Sequence, residues 1–397
     1  MVPGVRAQEE LMKIGIVGGG QLAQMMIQAG ASLGVSFALL ALESDESATA
    51  ICSEVHRVRG FDREGVAAFV NACELVTFDH ELVDPAILDS IPGAEGKVFP
   101  SARTLRMSAN KARQREMLQA EGIPSPEFVI ALDASQLREA VNRIGLPAVA
   151  KAAHGGYDGR GVFYLDGPAD LESLLSRLPD SFELIVEPKL NLEAELAVLV
   201  ARSRSGEVAT YPVLRTVQLD SVCNEVWAPS EFDTRIEDTA LDYGRRIAEA
   251  VGSVGILAIE MFVVNGEVLI NELAPRPHNS GHLTIEGCAV SQFENHLRAV
   301  MDLPLGPTTL VARAAAMVNL LGPPEPVDLV AGLNPLLRVS AARPHLYHKS
   351  YRRGRKLGHV TALADSVDAA LEIARCGAAA ALSVPRGASS RSSANRP

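Results

Sequence analysis

The feature that most limits how this chain can fold is a short apolar run, Lys13 to Val17, that leads into Gly18-Gly19-Gly20 and then an apolar-periodic stretch from Gln21 to about Leu33. A strand that turns through glycines straight into a helix needs a parallel partner strand beyond that helix. A second strand (Val35 to Leu42), a helix near Arg63 to Asn71 and a third strand (Glu74 to Phe78) follow in the required order. The spacing therefore predicts a parallel α/β unit over residues 13–109, with the turn residues of Pro92 to Pro100 near its end.

The remaining pattern differs. Asn110 to Glu121 reads as a helix ended by Gly122 and Pro124. Strand-like runs (Ala148 to Ala153, Glu183 to Glu187, Ala194 to Val200) then mix with helices and a long hairpin from Leu257 to Leu273. This predicts an α+β unit over 110–305, large enough for two lobes. Pro304 to Pro307 marks a boundary, and 306–386 reads as a small C-terminal domain rich in short strands, with a terminal helix. Residues 1–12 and the Ser/Arg-rich 387–397 are expected to be disordered. The fold class is α/β and α+β multidomain, since 397 residues exceed what one core serves.

Composition excludes several classes of function. Hydrophobic residues at 47% and charged residues at 21% describe a globular protein. A net charge of −11 argues against nucleic acid as a partner. Five scattered cysteines, with no C-x-x-C pair, argue against a disulfide framework or a structural zinc. No run approaches the ~18 apolar residues of a membrane span, and no signal peptide is evident, so a cytoplasmic protein is expected.

Gly18, Gly20 and Ala23 match G-x-G-x-x-A between strand and helix, with Glu43 near the end of the second strand. That pattern fits a dinucleotide site or a purely structural tight turn, and the loop alone does not choose between them. More specific is Lys151-Ala152-Ala153-His154-Gly155-Gly156-Tyr157-Asp158-Gly159-Arg160-Gly161. A strand lysine followed by four glycines in seven residues can close backbone amides over a triphosphate, and no Walker A sequence competes for the role.

About 100 residues later, Ile259-Glu260-Met261-Phe262 and Leu269-Ile270-Asn271-Glu272-Leu273 flank Asn265-Gly266, a hairpin turn signal. Two acidic side chains on adjacent strands repel unless a hard cation lies between them, which suggests magnesium on Glu260 and Glu272. A strict two-residue turn would set Glu260 opposite Asn271; an odd-length turn or a bulge would set it opposite Glu272, and the latter is expected. Pro275 to His282 then carries Arg276, His278, Asn279 and Ser280 away from the hairpin together, placed to meet a phosphorylated substrate. The basic run Lys349 to Lys356 reads as a phosphate site in preference to a solvated face.

Lys-x-x-x-Gly-Gly-Tyr-Asp-Gly-Arg-Gly, Glu260 and the block Asn271 to His282 together resemble the signature of the carboxyaminoimidazole ribonucleotide synthase family of ATP-grasp ligases. Gly18 to Leu22 and Gly354 to His359 are similar to that family's as well, and the likeness runs from about Lys13 to Ala374. The resemblance implies a pre-ATP-grasp domain, a two-lobe ATP-grasp domain and a small C-terminal domain, assembled as a homodimer. It implies ATP with Mg2+, and bicarbonate as co-substrate, carboxylating 5-aminoimidazole ribonucleotide through carboxyphosphate. A transient hand-off to the carboxyaminoimidazole ribonucleotide mutase would follow.

Carried onto this sequence, the resemblance puts Arg106, Lys151, Gly156, Tyr157, Asp158, Gly159, Arg160, Gly161, Val162, Asn271 and Glu272 at the nucleotide phosphates. Glu187, Pro188, Lys189 and Leu190 would be adenine and linker contacts and Glu195 a ribose contact. Tyr157, Asp158 and Arg276 would line the carboxylation site. Gly20, Gln21, Leu22, Glu81, Arg276, His278, Asn279, Ser280, Lys349, Arg355 and Lys356 would bind the substrate, with Lys349 assisting transfer. This chain departs from the family pattern over Tyr211 to Gln218 and at Ser221-Val222-Cys223, a segment expected near nucleotide and lid. The rival readings are another ATP-grasp ligase of the formate-dependent glycinamide ribonucleotide transformylase kind, a non-catalytic ATP-binding relative, and a nicotinamide dehydrogenase.

Overall fold

The computed structural model describes residues 12–155 and 161–387. Its first unit is a parallel sheet of β1 (Lys13–Val17), β2 (Ser36–Leu42), β3 (Glu54–Val58) and β4 (Leu75–Phe78), in the order β3-β2-β1-β4. β1, β2 and β4 fall where the apolar runs predict. β3 was not anticipated: it is a sheet edge whose residues are half-buried or exposed, so its sequence carries no apolar run. The helix Gln21–Gly30 follows the glycines and buries Leu22, Ala23, Met25 and Met26.

The second unit begins with a helix, Lys111–Ala120, capped by the Asn110 side chain at the Arg113 amide. Next comes an antiparallel lobe of β5 (Val129–Ala131), β6 (Ala148–Ala152), β7 (Val162–Leu165) and β8 (Leu184–Pro188), ordered β5-β8-β6-β7. The chain then builds one large antiparallel sheet. Its strands are β9 (Ala194–Arg202), β10 (Val208–Thr210), β11 (Leu214–Leu219), β12 (Val222–Ala228), β13 (Gly255–Val264) and β14 (Glu267–Ala274). They are joined by β15 (Ala314–Leu321), β16 (Arg343–Leu346) and β17 (Lys356–Ala364). The order is β14-β13-β9-β11-β12-β15-β17-β16, with β10 on β9. The C-terminal strands thus extend the sheet of the preceding unit through the β12–β15 pairing.

The helix Thr234–Ala250 lays Ile236, Ala240, Ile247 and Ala248 against the apolar face of β9 and β13. Phe293, Leu297 and Val300 of the helix Gln292–Val300 pack with Met25, Met26 and Phe37 of the first unit. A buried hydrogen bond of 2.8 Å between His296 Nε2 and Thr77 Oγ1 fixes that junction. Among the described residues, no helix is long and apolar enough to cross a membrane.

Candidate active site

The hairpin β13–β14 turns at Asn265 and Gly266, both with positive φ, the backbone that a two-residue turn between right-twisted strands requires. Pairing is strict from Val264↔Glu267 to Met261↔Ile270 and then slips, so that Glu260 pairs with Glu272. Asn271 is the extra residue of this bulge, and the bulge reconciles a two-residue turn with facing glutamates. Glu260 retains 30% side-chain accessibility at the floor of the cleft. Burial, with Glu272 and Glu195 nearby, pushes its carboxyl up to about 7.

Cations meet these acids from two directions. Lys111, at the start of its helix, places Nζ 2.6 Å from Glu272. Lys151, at the end of β6, places Nζ 2.7 Å from Glu187 and 3.0 Å from the Asn271 side-chain oxygen. Arg115, one turn after Lys111, completes a buried triad with Glu187 at 2.6 Å. Burial alone would raise the Glu187 carboxyl, but Lys151 and Arg115 hold it below the usual value. The Lys151 ammonium also lies 5.6 Å over the Phe262 ring.

On the opposite wall, Arg276 pairs with Glu81 of the first unit at 2.8 Å. His278 lies 3.6 Å from Glu260, and its Nδ1 is 2.9 Å from Ser280 Oγ. Burial, with Arg276 and Lys356 nearby, lowers the His278 imidazole well below its ordinary value, which keeps it neutral. The loop is held from behind: Gln292 accepts from the His278 amide at 2.9 Å and donates to its carbonyl at 2.7 Å. Asn279 exchanges side-chain hydrogen bonds with Asn319 of β15.

One cavity of about 410 Å3 joins these groups. Its lining includes Glu81, Lys151, Gly161, Val162, Glu195, Glu260, Asn271, Glu272, Arg276, His278, Asn279 and Lys356. Glu187 lies buried behind Lys151. Pro188, Lys189 and Leu190 follow it at the end of β8, where Lys189 pairs with Asp166 at 2.7 Å. Leu22 is buried in the first unit, Gln21 accepts from Lys349, and Arg355 pairs with Glu46 at 2.8 Å. Gly156, Tyr157, Asp158, Gly159 and Arg160 lie outside the described residues.

Arg106 does not line this cavity: its guanidinium pairs with Asp89 at the surface. Lys111 lines it beside Lys151, Arg276 and Lys356, and is the lining cation that sequence reasoning missed. Two basic residues at i and i+4, Lys111 and Arg115, share one face of a helix, and that spacing was the available signal. Tyr164, Gln218 and Ser221 were also missed as cavity residues, although the 211–223 segment had been expected near the nucleotide.

The N-terminal glycines are already occupied by the protein itself. The Gly19 amide donates to Asp45 at 3.0 Å and the Gly20 amide to Asp79 at 2.6 Å. A Cβ on Gly18, at φ +111°, would lie 1.7 Å from Asp79 Oδ1. Amides bound to two carboxylates do not receive a pyrophosphate, and Glu43, the would-be ribose ligand, pairs with Arg59 at 3.4 Å.

Comparison with known proteins agrees with this geometry. Residues 11–109 match the ribonucleotide synthetase preATP-grasp domain, 116–293 the ATP-grasp domain, and 315–373 the phosphoribosylaminoimidazole carboxylase C-terminal domain. The N5-carboxyaminoimidazole ribonucleotide synthase of Mycobacterium leprae is 40% identical over 364 residues, covering 87% of this chain and 83% of its own length. The carboxyaminoimidazole ribonucleotide synthase of Aspergillus clavatus, solved with ATP, superposes with a TM-score of 0.86 at 32% identity, covering 94% of this chain and 99% of its own. The fungal enzyme solved with ADP and 5-aminoimidazole ribonucleotide gives 0.85 at 30% identity, covering 94% and 98%. With three domain families matched in order and relatives alike over most of its length, the chain belongs to the N5-carboxyaminoimidazole ribonucleotide synthase family of ATP-grasp ligases.

Proposed function

We propose that the protein uses ATP and bicarbonate to carboxylate the exocyclic amine of 5-aminoimidazole ribonucleotide, releasing ADP and phosphate in de novo purine biosynthesis. The observation that carries this reading is that one cavity is lined both by nucleotide-side groups, Lys111, Lys151 and Glu272, and by substrate-side groups, Arg276, His278 and Lys356. A bicarbonate oxygen attacks the γ-phosphorus and expels ADP to give carboxyphosphate; the amine then attacks the carboxyl carbon, losing a proton as phosphate leaves. Reactants that are both anionic must meet, so neutralising charge in a low-dielectric cleft dominates the requirement.

Lys151 and Lys111 supply that charge on the nucleotide side, the family resemblance assigns Gly156 to Gly161 and Val162 to the phosphates, and Glu195 with Glu187 to Leu190 takes the ribose and base. Arg276 faces the carboxylating end, a role that the family resemblance also assigns to Tyr157 and Asp158. His278, Asn279, Ser280, Lys349, Arg355 and Lys356 hold the ribonucleotide, next to Gly20 and Gln21, and neutral His278 offers hydrogen bonds without adding charge. Glu260 and Glu272 fit magnesium, two facing hard-oxygen donors whose mutual repulsion a cation relieves. Among the described residues, no three His, Cys, Asp or Glu side chains converge to hold an ion unaided, so phosphate oxygens and water would complete its shell. When bound, it would neutralise the phosphoryl group in transfer. A cytoplasmic homodimer with a transient hand-off of the product to the mutase completes the reading. Incorporation of [13C]bicarbonate into the ribonucleotide, followed by NMR, tests it: no label in the presence of ATP and magnesium would refute it.

A further inference from the structure

Arg355, Ser350 and Glu46 form a contact that the reaction above does not explain. The Ser350 amide donates to Glu46 Oε2 at 3.0 Å, and its hydroxyl donates to Oε1 at 2.7 Å. The Arg355 guanidinium meets Oε2 at 2.8 Å and also donates to the Ser350 carbonyl and hydroxyl oxygens at 3.1 and 3.0 Å. A backbone amide, a hydroxyl and a guanidinium converging on one anion are the donors that a phosphate takes. Here a carboxylate from a different domain occupies them.

The placement of Glu46 is built in. The neighbouring Asp45 carboxylate accepts from the Gly19 and Leu42 amides at 3.0 and 2.9 Å. Arg57 donates to the Leu42, Glu43 and Asp45 carbonyls, and Thr49 Oγ1 donates to the Glu46 carbonyl. The loop that carries Glu46 is therefore tied to the glycine turn and aimed at the segment after β16. Lys349, beside Ser350, meets Gln21, and Lys356, beside Arg355, lines the cleft.

We propose that Glu46 is an internal stand-in for the substrate's phosphate: it holds the Ser350–Arg355 donor set assembled until a phosphate dianion displaces it, and so sets the affinity for the phosphorylated substrate. This rests on the functional reading above. Burial alone would raise the Glu46 carboxyl, but Ser350 and Arg355 keep it below its usual value, so the stand-in is charged at neutral pH.

The test compares the intact protein with Glu46→Gln, Glu46→Ala and, as a charge-matched control outside this site, Glu43→Gln. Binding of inorganic phosphate to nucleotide-free protein is measured by calorimetry, and KM for 5-aminoimidazole ribonucleotide is measured at saturating ATP. Both Glu46 variants are expected to bind phosphate about tenfold tighter, with a matching fall in that KM and no change in the KM for ATP. Glu43→Gln is expected to leave both values unchanged. Weaker or equal phosphate binding in both Glu46 variants would overturn the proposal and make Glu46 an anchor of the segment; an equal gain in Glu43→Gln would overturn it as a bulk charge effect. Tighter phosphate binding in a protein that never turns over the ribonucleotide would support the stand-in while removing the functional reading.

Discussion

Glu260 faces Glu272 only because β14 carries one residue more than β13 requires, and that residue, Asn271, turns its side-chain oxygen onto Lys151. A single bulge therefore brings two acids together and links them to the phosphate-side lysine. The arrangement costs stability until a cation arrives. Glu260→Gln is expected to stabilise the metal-free protein at pH 8 by roughly 1–3 kcal/mol, because it removes a desolvated, repelled carboxylate. The same change should lower kcat/KM at least ~100-fold. Chemical denaturation in EDTA, set beside steady-state rates, checks both halves.

The raised Glu260 carboxyl gives a pH dependence of defined sign. Its folded value, about 7, exceeds the ordinary value of 4.5, so the folded state binds more protons between these limits. Metal-free stability should therefore fall as pH rises from about 4.5 to about 7, and Glu260→Gln should flatten that slope. Magnesium binding must expel the proton, so affinity should weaken towards tenfold per pH unit below about 7. Magnesium titrations at pH 6, 7 and 8 measure this directly.

Arg115 and Glu187 pair in the interior, and Lys151 reaches Glu187 from the wall of the cleft to complete a triad. Arg115→Ala should destabilise the fold by about 3 kcal/mol, because it leaves the Glu187 carboxylate half-compensated in the interior. The folded Glu187 carboxyl lies below its ordinary value, so the triad's contribution is complete above about pH 4.5 and is lost as pH falls further. Acid-unfolding curves of the two proteins should differ above that window and converge below it.

Gly18 has no room for a side chain against Asp79, at a φ that disfavours one. Gly18→Ala should disrupt the first unit and cost several kcal/mol by thermal melting. With the Gly19 and Gly20 amides held by Asp45 and Asp79, NADH should show no saturable fluorescence change. Micromolar NADH binding would contradict the account of this loop.

Local signals were legible where chemistry and pattern coincide. The run Lys13–Val17 was read with its observed bounds, Asn110 announced its helix by capping it, and Asn265-Gly266 fixed the hairpin turn. The facing glutamates were legible because their charge demanded a bulge. What the sequence could not show is set by distant pairing. The edge strand Glu54–Val58 has too little buried surface to leave an alternating pattern. The β12–β15 pairing joins residues about 90 apart, and no local signal encodes it. Lys111 and Arg106 are both basic residues on short consecutive helices; only the tertiary fold turns one onto Glu272 and the other onto Asp89.

The central claim is tested most directly by coupled ADP release with magnesium-ATP and bicarbonate, with and without 5-aminoimidazole ribonucleotide. The account predicts release that requires the ribonucleotide and that collapses in Glu272→Gln. Clear ATP binding without ribonucleotide-dependent release would contradict it, pointing to a non-catalytic relative or to an ATP-grasp ligase with another substrate.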